Sequence, residues 1–137
     1  MKKIISILIL ALITVLSLVS CKEAPTGLWD TATYTEDTVI GEGDTTFTLT
    51  VTAEEKTVTF TVSTNEKTLG EALVKLGLVK GESGAYGLYI TEVNGMELVY
   101  DTHGMYWSVT QNGTTAPTGA DGISLENGGV YGFETAK

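Results

Sequence analysis

Arginine is absent from this chain of 137 residues, and cysteine and histidine occur only once each. Eight Lys stand against 17 Asp and Glu, which gives a formal net charge of −9. Because a polyphosphate is repelled by such a chain, nucleic acid is excluded as an unassisted partner. A single Cys and a single His also exclude a disulfide scaffold, a zinc finger and any larger cluster of Cys and His ligands.

The first 20 residues have the layout of a secretory signal peptide. Lys2 and Lys3 precede an apolar stretch from Ile4 to Val19, which is shorter than the ~20 residues that a membrane-spanning helix needs. The segment Leu18-Val19-Ser20-Cys21 resembles the lipobox of bacterial lipoproteins, which implies cleavage before Cys21 and attachment of diacylglycerol, with palmitate-type acyl chains, to its thiol. The alternative is an uncleaved N-terminal anchor helix in which Cys21 is incidental.

The chain is therefore divided into a lipoprotein signal peptide at residues 1–20, a lipidated Cys with its tether at 21–28, and one domain at 29–137. Removing residues 1–20 takes away two Lys and no acidic residue, so six Lys remain against 17 acids and the formal charge becomes −11. Both interpretations of the N-terminus place the domain outside the cytoplasm at the cell membrane. We expect a lipid-anchored, extracytoplasmic protein.

The clearest periodicity in the chain predicts an antiparallel hairpin. Phe47, Leu49 and Val51 alternate with threonines, and after Ala53-Glu54-Glu55-Lys56 the alternation resumes with Val58, Phe60 and Val62. Two runs of period two joined by a short polar loop are typical of a β-hairpin. One face of this hairpin is apolar and the other carries threonine, so we expect one buried face and one solvated face.

One helix is predicted directly after the hairpin. Thr68 and Glu71 have the spacing of a capping box, and Leu69, Ala72, Leu73 and Leu76 share one helical face. Gly77 is placed to end the helix in a left-handed conformation. A helix of two to three turns is not stable alone, so it must pack on the sheet.

The remaining segments predict further strands separated by turns. Strands are expected at 29–34, 87–93, 97–100, 105–110 and 130–135, with turns at Asn94-Gly95, Asn112-Gly113 and 127–129, and a loop at 36–44. A hairpin crossed by one helix, with later strands completing an antiparallel or mixed sheet, is the β-grasp arrangement of the α+β class.

Catalytic and metal chemistry have few residues available. Asp101, His103 and Ser108 lie near one another in sequence, but no nucleophile-elbow motif accompanies them, so His103 is interpreted as an exposed loop residue and the protein as non-enzymatic. Asp121 in the GADG segment lacks the partners of a metal site and is interpreted as part of a turn.

The aromatic residues after the helix are more informative about binding. In the predicted strand at 105–110, alternation sends Trp107 and Val109 to one face and Tyr106 to the other. We assign Trp107 to the helix-covered core and Tyr106 to the open face or an edge. An exposed Tyr offers apolar area and a hydroxyl to a ligand, whereas the alternative for Tyr106 is cross-strand pairing with threonine.

Several motifs together resemble the transcobalamin-like C-terminal domain family of Gram-positive lipoproteins, which is related to the β domain of transcobalamin and intrinsic factor. The matching segments are LWDTATYTEDTVIGEG (28–43), TLGEALVKLGLVKGE (68–82), YGLYITEVNG (86–95), MYWSVTQNGTTAPTGAD (105–121) and LENGGVYGFET (125–135). The resemblance implies a soluble-ligand-binding β-grasp fold. It also implies binding of cobalamin or another corrinoid as a ligand rather than as a cofactor.

The resemblance places the candidate ligand-binding residues at Tyr106, Trp107, Asn112 and Asp121, with no catalytic residue and no metal ligand. The chain has no room for the large helical domain that faces this domain in transcobalamin, so weak binding is expected unless a partner protein supplies the second half of the site. The alternative function is a cell-envelope module that recognises a protein or a polymer without binding corrinoids.

Overall fold

A computed structural model describes residues 27–85 and 87–137 of the chain. The expected signal peptide and the expected lipidation site at Cys21 lie outside these residues. Within them, none of the helices has the length and apolar character that crossing a membrane requires.

Nine strands and two short α-helices make up the described chain, together with 3-10 helices at Leu28–Thr31 and Ala120–Gly122. The first half contains β1 (Thr38–Gly41), β2 (Thr45–Ala53), β3 (Lys56–Thr64) and α1 (Leu69–Lys75). The second half contains β4 (Val79–Gly84), β5 (Gly87–Val93), β6 (Met96–Glu97), α2 (Tyr100–His103), β7 (Tyr106–Gln111), β8 (Thr114–Thr115) and β9 (Val130–Ala136). This composition confirms the predicted α+β class.

The larger sheet has six strands in the order β1-β3-β2-β9-β7-β8. The predicted hairpin is confirmed as its centre, because β2 and β3 pair antiparallel from Thr45↔Thr64 to Ala53↔Lys56. The sheet is mixed, since β1 runs parallel to β3 and β9 runs parallel to β2. The apolar residues of the hairpin lie on one face and are at most 1% exposed: Phe47, Leu49, Val51, Val58, Phe60 and Val62.

A second sheet, together with α1, covers this apolar face. Strands β4, β5 and β6 form a three-stranded antiparallel sheet, and its buried residues Val79, Ile90, Val93 and Met96 belong to the same hydrophobic cluster as the hairpin and α1. Trp107 is 5% exposed and belongs to this cluster, which confirms its predicted assignment to the core. The expectation of one covering helix is therefore too simple, because a small sheet shares that role.

The helix α1 begins and ends where its sequence predicts. Thr68 caps it by accepting a hydrogen bond from the backbone N–H of Glu71 at 3.2 Å, and Gly77 follows with φ of +72°. Leu69, Ala72 and Leu73 are buried, as predicted, but Leu76 is 38% exposed. Leu76 stands at the C-cap, beyond the last helical turn, so its side chain leaves the buried face.

The start of α1 packs closely on the 3-10 helix Ala120–Gly122. A Cβ atom on Gly70 would lie 2.8 Å from the backbone nitrogen of Asp121. The backbone N–H of Leu69 also donates to the carbonyl of Ile123 at 3.0 Å. Gly70 therefore allows two backbones to approach to a distance that no other residue permits.

The turn at Asn94-Gly95 is confirmed, and its Asn has a second role that the turn motif does not predict. Asn94 is fully buried with φ of +53°. Its side-chain amide donates to the carbonyl of Tyr34 at 2.8 Å, and its side-chain oxygen accepts from the N–H of Tyr34 at 2.9 Å. Its own backbone pairs with Leu78 and Thr33. Asn94 thus joins the N-terminal segment to the second sheet.

Three expectations about shorter segments are wrong. The segment expected to be extended at 29–34 begins with the 3-10 helix Leu28–Thr31, whose Trp29 indole N–H donates to the carbonyl of Ala53 at 2.8 Å. The expected loop at 36–44 contains β1, which pairs along its whole length with β3. The expected strand at 97–100 is limited to Met96–Glu97, after which Tyr100 starts a helix.

Replacing Asn94 by Gly tests its role as a connector. Gly keeps the left-handed backbone but leaves the N–H and carbonyl of Tyr34 unpaired, so we expect the free energy of unfolding to fall by about 2–3 kcal/mol in urea denaturation. Asn112→Gly is the matched control, because Asn112 has the same φ of +53° but is exposed. It should change stability by less than about 0.5 kcal/mol. Equal effects of the two substitutions would contradict this role.

Replacing Gly70 by Ala tests the close approach between α1 and residues 120–122. Ala is the better helix former by ~1 kcal/mol, yet its Cβ must displace a backbone, so we expect a net loss of about 1–2 kcal/mol in thermal or urea unfolding. Gly84→Ala is the control, since the nearest atom to its added Cβ is 3.8 Å away. Stabilisation by Gly70→Ala would disprove the packing argument.

Candidate ligand-binding site

A shallow groove lies between α1, the β4–β5 hairpin and the 3-10 helix at 120–122. One part has a volume of about 240 Å³ and is lined by Gly70, Glu71, Val74, Ser83, Leu88 and Asp121. The other part, of about 210 Å³, shares Leu88 and is lined by Gly84, Ala85, Gly87 and Tyr89. We call the two parts together the Leu88 groove.

The walls of the Leu88 groove combine exposed apolar side chains with carboxylates. Val74 is 48% exposed and Tyr89 is 45% exposed. Leu88 is half-buried and lines both parts of the groove. The carboxylates are those of Glu71 and Asp121. Apolar area with a few polar groups is the composition of small-molecule sites, although each part is smaller than an ordinary enclosed pocket. The groove is suited to one face of a large ligand.

Asp121 is held in the groove by glycines and by a backbone donor. Its Oδ1 accepts a hydrogen bond from the N–H of Leu88 at 3.1 Å. A Cβ on Gly87 would lie 2.7 Å from this oxygen and a Cβ on Gly119 would lie 3.2 Å from it. The glycines of the GADG and YGLY segments therefore leave the space that the carboxylate occupies. Asp121 fixes the start of β5 against α1 and still lies on the surface.

The other three residues predicted for ligand binding lie along β7. Trp107 is buried, and its indole N–H donates to the carbonyl of Met96 at 3.1 Å. Tyr106 is half-buried at the first position of β7 and stacks edge-on against Tyr100, with ring centroids 6.4 Å apart. Asn112 is exposed in the turn that follows β7. Tyr106 and Asn112 thus stand at opposite ends of one strand, and of the four predicted residues only Asp121 lines the Leu88 groove.

The groove depends on residues that sequence reasoning did not select. Leu88 and Tyr89 lie in the segment predicted as a strand, but alternation alone does not show which of its side chains remain uncovered. Val74 lies on the exposed side of α1, whereas Leu69 and Leu73 are buried. A single apolar residue beside charged residues on a helix surface is a weak indication of a binding site. The three glycines Gly81, Gly84 and Gly87 are a stronger indication of a binding surface, because a glycine in a strand lets another backbone or a ligand approach closely.

A larger cavity of about 350 Å³ lies at the other end of α1, between Leu76 and the loop after β1. Its walls include Glu42, Asn65 and Lys75. Lys75 Nζ donates to the Glu66 carboxylate at 2.9 Å, and this hydrogen bond and the negative charge of Glu66 raise the pKa of the lysine. The cavity contains no residue predicted for ligand binding and offers less exposed apolar area than the Leu88 groove.

The described residues do not assemble a set of metal ligands. Within 27–85 and 87–137, no group of three or more His, Cys, Asp and Glu side chains could hold a metal ion. The Nδ1 atom of His103 accepts a hydrogen bond from the N–H of Val99 at 2.9 Å. The ring of His103 is therefore tied to the backbone of its own helical turn.

Several solved structures are similar to this chain, and they include the following two proteins. A protein from Ruminococcus gnavus described as a candidate metal-binding protein is 32% identical and has a TM-score of 0.64, and the match covers 69% of this chain and 98% of that one. Haptocorrin in complex with Cbi, a cobalamin analogue, is 20% identical with a TM-score of 0.57. That match covers 68% of this chain and 25% of haptocorrin, so this chain corresponds to about a quarter of haptocorrin and shares its fold there. No curated protein matches.

Part of the sequence also matches a known protein family. Residues 66–130 match the family described as Domain of unknown function (DUF4430). These residues include α1, the whole second sheet, the Leu88 groove and β7. The chain belongs to the same family as the Ruminococcus gnavus protein. Its match to DUF4430 and the fold that it shares with haptocorrin confirm the resemblance predicted from the motifs.

Proposed function

We propose that this protein is a membrane-anchored, extracytoplasmic module that binds a soluble corrinoid such as cobalamin at the Leu88 groove and catalyses no reaction. The observation that carries the proposal is the shallow groove in which Val74 and Tyr89 are exposed and Leu88 is half-buried beside the carboxylate of Asp121. The shared fold with haptocorrin, whose structure holds Cbi, supports the choice of ligand class.

The β-grasp assignment belongs to the same proposal. A β2–β3 hairpin followed by a helix and a return strand, β9, that pairs parallel with β2 is consistent with this plan. The second sheet is then an insertion between α1 and β7 that covers part of the core and forms one wall of the groove. In this interpretation the ligand-binding surface is built by the inserted hairpin rather than by the central strands.

The proposal predicts weak binding by the isolated chain. The groove is open, so a ligand as large as cobalamin would leave most of its surface in water when it contacts only this side. A second protein that covered the exposed side would raise the affinity. We therefore expect the groove to be half of a complete site.

Titration of the full chain with cobalamin in a polyoxyethylene detergent tests corrinoid binding. We expect a dissociation constant between high micromolar and millimolar, measured by calorimetry and by the visible spectrum of the corrin. Tyr89→Ala should weaken binding at least about fivefold, since it removes exposed apolar contact worth ~1 kcal/mol.

Tyr100→Ala is the matched control for this titration. It also removes an exposed Tyr, but from α2 rather than from the groove, so binding should be unchanged. Direct corrinoid binding is rejected if millimolar cobalamin gives neither heat nor a spectral change. Equal weakening by both variants would place the ligand elsewhere.

The proposed lipid would be attached a short distance along the chain from the first described residues. Five residues lie between Cys21 and Gly27, so the two are at most about 20 Å apart when the chain is extended. Leu28 and Trp29 are attached to the β2–β3 turn, because the N–H of Leu28 donates to Glu54 at 3.1 Å and Lys56 lies 4.8 Å from the Trp29 ring centroid. A lipid on Cys21 would hold this end of the domain near the membrane surface.

Replacing Cys21 by Ala tests the lipid anchor. We expect the native chain to incorporate labelled palmitate and to enter the detergent phase of a phase-separating detergent, and we expect Cys21→Ala to lose the label. Ser17→Ala, within the apolar stretch, should keep it. The uncleaved anchor helix would be favoured instead by a different result. In that case the native chain enters the detergent phase without the palmitate label, and mass spectrometry shows that residues 1–20 are still attached.

A further inference from the structure

The outer face of the six-stranded sheet carries little charge in a highly charged protein. Its residues are mainly threonine and serine from β2, β3, β7 and β8, and Glu134 is the one charged strand residue among them. The exposed apolar residues Val39 and Val130 lie on the same face. Its hydroxyl-bearing members are Thr46, Thr48, Thr50, Thr52, Thr57, Thr59, Thr61, Ser63, Ser108, Thr110 and Thr115, of which Ser108 is buried. We call this surface the threonine face.

Pairing between strands arranges the hydroxyl groups of this face in rows. One row runs across five strands through Thr59, Thr50, Gly132, Thr110 and Thr115. With strands about 4.8 Å apart, the row is about 19 Å wide, and the next row along the strands lies about 6.7 Å away. The result is an array of hydroxyl groups that β9 interrupts with Val130, Gly132 and Glu134 in successive rows.

Gly132 makes a trough in the middle of this array. A Cβ atom at this position would lie 2.6 Å from Oγ1 of Thr110 and 2.7 Å from Oγ1 of Thr50, so the two hydroxyls lean toward the space above the glycine. A glycine in a central strand weakens the sheet. Its presence here leaves room at the centre of the face, with a hydroxyl on each side.

Two tyrosines stand at one end of the threonine face. Tyr106 occupies the register position opposite Ala136, on the same side of β7 as Ser108 and Thr110. Tyr100 packs edge-on against it and is 55% exposed. Exposed aromatic rings beside rows of hydroxyl groups offer both stacking area and hydrogen bonds to a ligand.

The chemistry of the face selects the class of partner. Depletion of charge is characteristic of the centre of an interface, and a face with one carboxylate cannot recognise a ligand through ion pairs. The expected charge of −11 on the chain after residue 20 repels polyanions such as acidic polysaccharides. A neutral polymer rich in hydroxyl groups meets both conditions, because each of its hydroxyls can donate to and accept from threonine.

We propose that the threonine face binds a neutral polysaccharide, with Tyr100 and Tyr106 stacking on sugar rings and the Thr50–Thr110 trough receiving a hydroxymethyl or hydroxyl group. This site lies on the opposite side of the larger sheet from its apolar core face and shares no residue with the Leu88 groove. The proposal therefore does not rest on corrinoid binding, and either function can fail alone.

Affinity electrophoresis of the full chain through gels containing neutral polysaccharides tests the threonine face. The probes are hydroxyethylcellulose, galactomannan and soluble starch, and polygalacturonate serves as the anionic comparison. A polyoxyethylene detergent keeps the chain in solution without introducing a sugar headgroup. We expect retardation by at least one neutral polymer and none by polygalacturonate.

Two variants locate the site, and a third controls for the loss of an exposed aromatic residue. Tyr100→Ala should weaken retention about tenfold, and Gly132→Ala should weaken it by filling the trough. The control Tyr89→Ala should retain binding, because Tyr89 lies in the Leu88 groove. If Gly132→Ala unfolds the chain, shown by loss of near-ultraviolet circular dichroism, Thr110→Lys replaces it as the test of the trough.

Four results would overturn the proposal. They are absence of retardation in all three neutral polymers, equal retardation by polygalacturonate, equal loss of retention in Tyr89→Ala and Tyr100→Ala, and self-association through this face. Self-association would appear in sedimentation as a dimer that Thr110→Lys converts to monomer, without retention by any polymer.

Discussion

The structure depends on the alternation of side chains along β2 and β3. From Phe47 to Val51 and from Val58 to Val62, every second residue is a large apolar side chain that is almost completely buried, and the residues between them are threonines. Burial of each such side chain contributes roughly 1.5–3 kcal/mol, so a shift of register by one residue would place the whole apolar set in water. The alternation fixes which face of the sheet is covered by α1 and the second sheet, and which face stays open.

Both candidate sites follow from that division. On the covered side, the β4–β5 hairpin extends beyond the core, and the apolar side chains of Leu88 and Tyr89 are only partly covered there. The Leu88 groove therefore lies at the edge of the layer, made of α1 and the second sheet, that covers the apolar face. On the other side, most of the threonines of β2 and β3 stay partly exposed, and Glu134 is the one charged strand residue of that face. One sheet thus supports two surfaces of different chemistry.

Sequence periodicity predicted those elements whose conformation is favoured by their own residues and is also the one that the folded protein requires. The hairpin, the Thr68 cap and the turns at Asn94-Gly95 and Asn112-Gly113 all belong to this group. The errors occur where a distant contact decides the conformation. Trp29 favours a strand by propensity, but its indole bonds to Ala53 from a 3-10 helix. Likewise β1 has only four residues and exists because β3 offers a free edge.

The candidate site was less accessible to sequence reasoning than the fold. Asp121 lies in the groove, and its neighbours Gly87 and Gly119 explain how its carboxylate is accommodated there. Trp107 has the aromatic character of a binding residue, but its burial and its hydrogen bond to Met96 give it a role in packing. A sequence shows which residue types are present, whereas exposure depends on which segments lie over them. For this reason Val74, Leu88 and Tyr89 were identified only from the structure.

The central claim is that the Leu88 groove, built by the inserted hairpin, receives the soluble ligand. The most direct measurement is a titration of the isotope-labelled full chain with cobalamin, followed residue by residue by nuclear magnetic resonance. The account predicts shifts confined to Gly70–Val74, residues 83–89 and the segment around Asp121. Absence of shifts at millimolar cobalamin, or shifts centred on the threonines of β2 and β3, would contradict it.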